Sequence, residues 1–113
     1  MRDHTREVIA DVEHERIRQK QVKGWSPEHD DAEHDQGHLA FAACAYALPR
    51  TTPEWTEGNI AASELCRAMW PWGGDPKYKT RRQDLVRAAA LLVAEIERID
   101  REYSRGNSAG SAL

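Results

Sequence analysis

The segment WPWGGDPKYKTRR, residues 70–82, combines aromatic rings and cations immediately before a predicted helix. Its cations, Lys77, Lys79, Arg81 and Arg82, stand at or before the amino end of that helix, where the helix dipole disfavours each positive charge by roughly 0.3–1 kcal/mol. A bound anion relieves this unfavourable potential, and the free amides of the first helical turn can donate to a phosphate. The spacing therefore indicates an anion site.

The aromatic residues of the same segment are compatible with a nucleotide as the carrier of that anion. Trp70, Trp72 and Tyr78 offer flat faces on which a base can stack. The alternative is structural, because tryptophans beside a proline commonly fix a loop against the core, and surface lysines and arginines are commonly solvated. The sequence leaves both explanations open.

Residues 28–38, EHDDAEHDQGH, form a second cluster of polar side chains. Carboxylates and imidazoles opposite a basic helix start would suit ribose hydroxyls and base edges. We therefore consider His29, Asp30, Asp31 and His34 as ligand-contacting residues. The alternative is an acidic turn that is simply solvated.

The same cluster has residue types that bind metals. On one continuous helix, His34, His38 and Asp31 would share a face and could bind a transition metal. Gly37 interrupts that helix, and the spacing is less specific than a metalloprotease motif. We therefore expect neither a metal nor another cofactor.

Acids at helical spacing point to a different chemistry. Glu97 and Asp100 match E-x-x-D, and paired acids of this kind hold magnesium in all-α enzymes that cleave nucleoside triphosphates to pyrophosphate. No E-x-x-E partner motif occurs on a neighbouring helix, so Asp31 with Asp35, or Glu28 with Asp31, would have to replace it. An exposed charged face explains the same spacing, and no residue is assigned a catalytic role.

The composition limits the classes of protein that need to be considered. The 113 residues carry a net charge of −3, which suits one domain and disfavours general nucleic-acid binding. Cys44 and Cys66 lack metal-ligand spacing and are expected to be buried free thiols. No segment is apolar over the length needed to span a membrane. We expect a cytoplasmic protein without phosphate-loop, dinucleotide or hydrolase-elbow motifs.

The elements that position these residues are predicted to be helices throughout, with no strand periodicity. Apolar residues follow helical spacing over 5–22, 38–48, 59–70 and from Thr80 onward. The predicted fold is all-α: a compact, bundle-like single domain of about four helices over residues 1–105, with a long C-terminal helix. Residues 106–113 are small and polar and are predicted to be a disordered tail.

Start and stop signals support these helices. Thr80 and Gln83 match a capping box. Ser26 followed by proline begins a short helical turn that Gly37 interrupts. Asn59 is the expected cap of the third long helix.

The longest apolar stripe is predicted to form the core side of the last helix. It runs for five turns, and Leu92 lies at its middle. Its members are Leu85, Val86, Ala89, Leu92, Val93, Ile96 and Ile99. A thinner stripe on the first helix contains Val8, Ile9, Val12 and Ile17. This thin stripe and the alanine run 88–90 indicate a homo-oligomer that shares helix faces.

Three segments together resemble a set of small phage and prophage proteins: GWSPEHDD at 24–31, WPW at 70–72 and RRQDLVRAAALLVAEIERIDR at 81–101. The resemblance covers most of residues 13–101. Ser26 replaces the usual threonine of that set and keeps a hydroxyl cap. The resemblance implies a phage origin, and thereby the cytoplasm of a host cell, but no particular activity.

A fainter resemblance is to the ryanodine-receptor repeat domain. Arg18, the pair Gly24–Trp25, Asp30 or Asp31 and the pair Asp100–Arg101 correspond to its helix arginine, Gly-Trp, acidic loop and later Asp-Arg. The Pro-x-Leu-Val-Pro-Tyr segment of that domain is missing here. This resemblance implies binding of a small ligand instead of catalysis.

From these observations we expect a protein that binds, and thereby sequesters, a small phosphorylated nucleotide or nucleotide-derived immune signal. The candidate ligand-binding residues are Arg18, Trp25, His29, Asp30, Asp31, His34, Trp70, Trp72, Lys79, Arg81 and Arg82. A magnesium-dependent pyrophosphohydrolase and an inhibitor that binds a host protein without any small ligand are the alternatives.

Overall fold

The computed structural model describes residues 2–49, 51 and 61–110, with side chains as far as residue 106. This part of the chain forms five helices and no strand: α1 (His4–Gln21), α2 (Pro27–Glu33), α3 (His38–Ala47), α4 (Ala62–Met69) and α5 (Arg81–Gly110). The all-α prediction with a long C-terminal helix is confirmed. The helix beyond the expected four is α2, which the sequence predicted only as a short turn.

The predicted helix boundaries have the expected local causes. The Ser26 hydroxyl accepts a hydrogen bond from the His29 amide at the start of α2. At the start of α5, the Gln83 amide donates to the Thr80 hydroxyl and the Gln83 side chain accepts from the Thr80 amide, which is a capping box. Gly37 separates α2 from α3 with φ +80°, a conformation that other residues rarely adopt. Asn59 lies outside the described residues.

The C-terminal end of α5 extends beyond the predicted end of the domain. The helix includes residues 106–110, which the sequence analysis assigned to the tail. Residues 111–113 lie outside the described part of the chain. Among the described residues, no helix combines the length and apolarity required to cross a bilayer.

The core lies between α3 and α5, and small residues dominate it. Leu39 of α3 and Leu91 of α5 are its largest fully buried apolar side chains. The alanines around them let the two helix backbones approach closely. The members of this core are Leu39, Ala42, Ala43, Tyr46, Ala88, Leu91 and Ala94.

The large apolar residues of α5 were wrongly predicted to face this core. Leu92 is 45% exposed, Ile96 58% and Ile99 49%. They lie to the side of the buried face that carries Leu91, because α3 packs against the alanines of that face. On α1, Val8, Ile9 and Ile17 are likewise exposed.

The two cysteines are free, as expected, but only Cys66 is buried. Cys44 is exposed, because it occupies the side of α3 that does not contact α5.

Candidate functional site

Three tryptophans from two distant loops meet at one side of the core. Trp25 precedes α2, whereas Trp70 and Trp72 follow α4. The ring centroids of Trp25 and Trp72 lie 5.2 Å apart, and those of Trp70 and Trp72 lie 5.0 Å apart. Tyr46 of α3 adds a fourth ring at 5.4 Å from Trp70. The cluster packs on the α3–α5 core and forms a rigid aromatic wall.

This wall borders a cavity of about 300 Å³. Four aromatic rings, five cationic side chains and two carboxylates line it. The lining residues are Glu15, Arg18, Gln19, Lys23, Trp25, Tyr46, Trp70, Trp72, Gly73, Asp75, Lys77, Lys79, Arg87 and Leu91. The cavity therefore carries an excess of positive charge in a chain whose net charge is −3.

The two arginines of the cavity are held by neighbours within the protein. Arg18 donates two hydrogen bonds of 2.7 Å to Glu15. Partial burial acts to raise the pKa of Glu15, but the hydrogen bond and charge of Arg18 outweigh it, and the pKa of this carboxyl lies below its usual value. Arg87 donates to the Lys77 carbonyl at 2.8 Å and stacks over the Tyr46 ring, 4.1 Å from its centroid. Both guanidinium groups are thus fixed in place.

The three lysines of the cavity are in a different state. The ammonium groups of Lys23, Lys77 and Lys79 form no ion pair with any residue that the structure describes. Their charge is therefore available to a ligand.

Two buried polar atoms of residues that line the same cavity have no hydrogen-bond partner in the described part of the chain. They are Nε1 of Trp70, a donor, and Oε1 of Gln19, an acceptor. A buried polar group without a partner costs about 1–3 kcal/mol. A ligand that offers both an acceptor and a donor, as the edge of a nucleobase does, would recover this cost.

The histidines of the second cluster gather on the other side of the tryptophans. His29, His34 and His38 line an open depression of about 550 Å³ that shares Trp25 and Trp72 with the first cavity. The His34 ring lies 5.1 Å from Trp72 and 5.4 Å from Trp25. The two depressions therefore share one aromatic wall.

Asp30 supports the histidine depression through hydrogen bonds of its buried side chain. Its side chain is fully buried and accepts hydrogen bonds from Arg16 at 3.2 Å and from His34 at 3.0 Å. Arg16, itself buried, also donates to Glu97 of α5 at 2.8 Å. This network ties α1, α2 and α5 together and fixes the His34 ring. Asp30 thus has a supporting position instead of a direct place in the cavity.

The remaining predicted site residues lie outside both depressions. Arg81 donates to backbone carbonyls at the end of α3, and Arg82 pairs with Asp11 of α1 at 2.7 Å. Asp31 accepts hydrogen bonds from Arg101 and Arg105 of α5. These ion pairs are internal to the protein. The fold therefore brings together Arg18, the three tryptophans and Lys79, with His29 and His34 behind them.

The acidic pairs that magnesium would require do not converge. Glu97 contacts Arg16 and Lys20, and Asp31 forms ion pairs with Arg101 and Arg105. Among the described residues, the group of side chains with metal-binding geometry is His29, Asp30 and His34.

The sequence analysis missed several residues that line the tryptophan cavity. Glu15 and Gln19 of α1 and Arg87 of α5 lie on charged helical faces that resemble any solvated surface. Tyr46 of α3, which also belongs to the core, was not predicted as a site residue. Lys23 could have been found, because it stands two residues before Trp25.

Neither a family model, nor a curated protein, nor a solved structure matches this chain. Its function is therefore inferred from the geometry of the described residues.

Proposed function

We propose that this protein binds a small phosphorylated nucleotide in the tryptophan cavity, without turning it over. The observation that carries the proposal is the joint lining of one cavity by four aromatic rings and five cationic side chains. Aromatic faces suit a base, and cations suit a phosphate.

The phosphate would lie against the lysines. Lys77 and Lys79 both precede α5, and their ammonium groups have no competing carboxylate among the described residues. Arg18 and Arg87, which are already fixed by Glu15 and by the Lys77 carbonyl, add positive potential without a large change in conformation. Such preorganisation lowers the entropy cost of binding.

The base would lie against the tryptophans. A volume of about 300 Å³ is at the lower end of the range for ligand sites, so it suits a mononucleotide better than a larger ligand. The unpartnered Trp70 Nε1 and Gln19 Oε1 atoms would then meet the polar edge of the base or the ribose.

The biological role that we propose is sequestration of a nucleotide-derived immune signal in the host cytoplasm by a phage protein. The role is supported by the sequence resemblance to small phage and prophage proteins. The binding proposal itself depends only on the cavity.

Calorimetric titration with cyclic and linear adenine and guanine nucleotides tests the proposal. We expect saturable binding that weakens by about tenfold or more for each lost charge-assisted contact in the Lys77→Gln, Lys79→Gln double variant. Arg6→Gln, an exposed arginine on α1 far from the cavity residues, is the charge-matched control and should bind like the unmodified protein. No binding at high micromolar nucleotide would contradict the proposal.

The two alternatives predict other results. A pyrophosphohydrolase would release pyrophosphate from nucleoside triphosphates with magnesium, but Glu97 and Asp31 are held by arginines, which does not favour it. An inhibitor of a host protein would show no thermal shift with any nucleotide.

We also propose that the chain forms a homodimer through α5. Large apolar side chains on its outer face follow one another at spacings of seven, four, three and four residues, which is compatible with the heptad pattern of a two-stranded coiled coil. They are Leu85, Leu92, Ile96, Ile99 and Tyr103, each at least 42% exposed, and we call them the α5 stripe. The alanine run that the sequence analysis favoured is unsuitable, because Ala88 and Ala90 are buried within the chain.

A further inference from the structure

His29, Asp30 and His34 place three metal-ligating atoms around one point of α2. A nitrogen or oxygen atom from each lies within 4.8 Å of the other two. Oδ1 of Asp30 lies 3.0 Å from Nδ1 of His34 and 3.7 Å from Nδ1 of His29. A tetrahedral metal with ligand bonds of about 2.0–2.1 Å separates its ligand atoms by roughly 3.4 Å. The two observed separations lie on either side of that value.

Unpartnered nitrogen atoms are the second observation at this point. Nδ1 of His29 is buried and has no hydrogen-bond partner among the residues that the structure describes, and the same holds for Nδ1 of His38, which lines the same depression. Buried polar atoms in folded proteins are nearly always paired, and an exception calls for a physical cause. Coordination of a cation by the free lone pair of His29 supplies such a cause.

The other two ligands are already held in position. Oδ2 of Asp30 accepts a hydrogen bond from Arg16, and Oδ1 is directed to the histidines. His34 is almost completely buried between Trp25 and Trp72. Ligands held by neighbours in this way bind metals more tightly than mobile ones.

We propose that His29, Asp30 and His34 bind one transition-metal ion of the zinc, cobalt or nickel class. Two imidazole nitrogens with one carboxylate oxygen suit these ions, whereas magnesium and calcium prefer oxygen ligands alone. On binding, the Nδ1 proton of His34 moves to Nε2 through solvent, so that the neutral ring coordinates through Nδ1. Water molecules would complete the coordination of the ion.

This inference does not depend on nucleotide binding, and its test contains no nucleotide. Titration with Co²⁺ is followed by visible absorption, which reports coordination by nitrogen and oxygen, and Zn²⁺ is then added to displace it. Mg²⁺ is expected to have no effect. We expect one Co²⁺ per chain and an increase in melting temperature, because a metal that binds only the folded state stabilises it.

Substitutions test which residues bind the metal ion. His29 is the ligand to replace, because its Nδ1 makes no hydrogen bond that the metal-free fold would lose. His29→Gln should weaken Co²⁺ binding by at least about tenfold while leaving the metal-free melting temperature unchanged. His14→Gln, an exposed histidine on α1, is the matched control and should bind as before. The Lys77→Gln, Lys79→Gln double variant should also retain the metal, even where it loses nucleotide.

Two results would overturn the inference. One is the absence of both a Co²⁺ absorption band and a Zn²⁺-dependent thermal shift at millimolar metal. The other is unchanged Co²⁺ binding in His29→Gln, which would place the metal on other ligands.

Discussion

Nη2 of Arg81 donates a hydrogen bond of 2.6 Å to the carbonyl oxygen of Ala47. This contact joins the amino end of α5 to the carboxyl end of α3, and Nη1 of the same side chain reaches the carbonyls of Tyr46 and Leu48. The last carbonyls of a helix lack partners within the helix and carry its negative dipole end. Arg81 lies at the amino end of α5, where the helix dipole disfavours a cation. Its side chain instead donates hydrogen bonds to the carbonyls at the carboxyl end of α3.

Replacing Arg81 should therefore affect stability and not ligand binding. We expect Arg81→Gln to lower the free energy of unfolding by about 1–2 kcal/mol, since most of these charge-assisted hydrogen bonds are lost. Chemical denaturation measures this change, with Arg6→Gln as the control of equal charge. If the Arg81→Gln variant kept full stability but bound nucleotide more weakly, Arg81 would be a ligand-binding residue instead.

Two adjacent leucines of α5 give a matched test of which helix face is buried. Leu91 is 1% exposed and Leu92 is 45% exposed. Leu91→Ala should lower the free energy of unfolding by roughly 2–5 kcal/mol, and Leu92→Ala by less than about 1 kcal/mol at protein concentrations where the chain is monomeric. Denaturant titration measures the free energy of unfolding of both variants. Equal losses of stability would contradict the orientation of α5.

The pH dependence of stability should reveal the link between Asp31 and α5. The hydrogen bond from Arg101, followed by that from Arg105, holds the pKa of Asp31 below its usual value despite the opposing effect of burial. A carboxyl with a lowered pKa stabilises the fold above its unfolded-state pKa of about 3.9 and loses that effect as the pH falls through the folded-state value.

The expected measurement compares Asp31→Asn with the unmodified protein between neutral and acidic pH. The variant should be less stable by roughly 1 kcal/mol near neutrality, and the difference should shrink as the pH falls below about 4 and vanish below the lowered folded-state pKa of Asp31. Asp35→Asn, at an exposed aspartate just after α2, is the control. A pH-independent difference would show that Asp31 acts through something other than its charge.

The α5 stripe should govern the oligomeric state. Ile96 is 58% exposed in the single chain, so Ile96→Lys should leave the fold intact and convert a dimer to a monomer. Light scattering after size-exclusion chromatography measures the mass. Val22→Lys, at the exposed apolar residue that follows α1 and lies outside the stripe, should remain dimeric. A monomeric unmodified protein at high concentration would exclude the proposed dimer.

The sequence predicted the site unevenly, and the reason differs from residue to residue. Four cavity residues were predicted because aromatic and cationic residues that occur together in a loop are unusual. They are Trp25, Trp70, Trp72 and Lys79. Glu15, Gln19 and Arg87 were missed because a helical residue reveals its neighbours only after the helices are packed. Arg82 stands beside Lys79 in the sequence, yet it pairs with Asp11, 71 positions away.

Local interactions were enough to determine the helices and most of their ends. The Ser26 cap, the Thr80–Gln83 capping box and the Gly37 break act within a few residues, so the sequence alone specified them. The side of α5 that is buried could not be specified in this way, because both faces are apolar. Packing decided it: α3 approaches the alanine face closely, which buries Leu91 and leaves Leu92 and Ile96 outside. Only that packing places Trp25 beside Trp72 and forms the cavity.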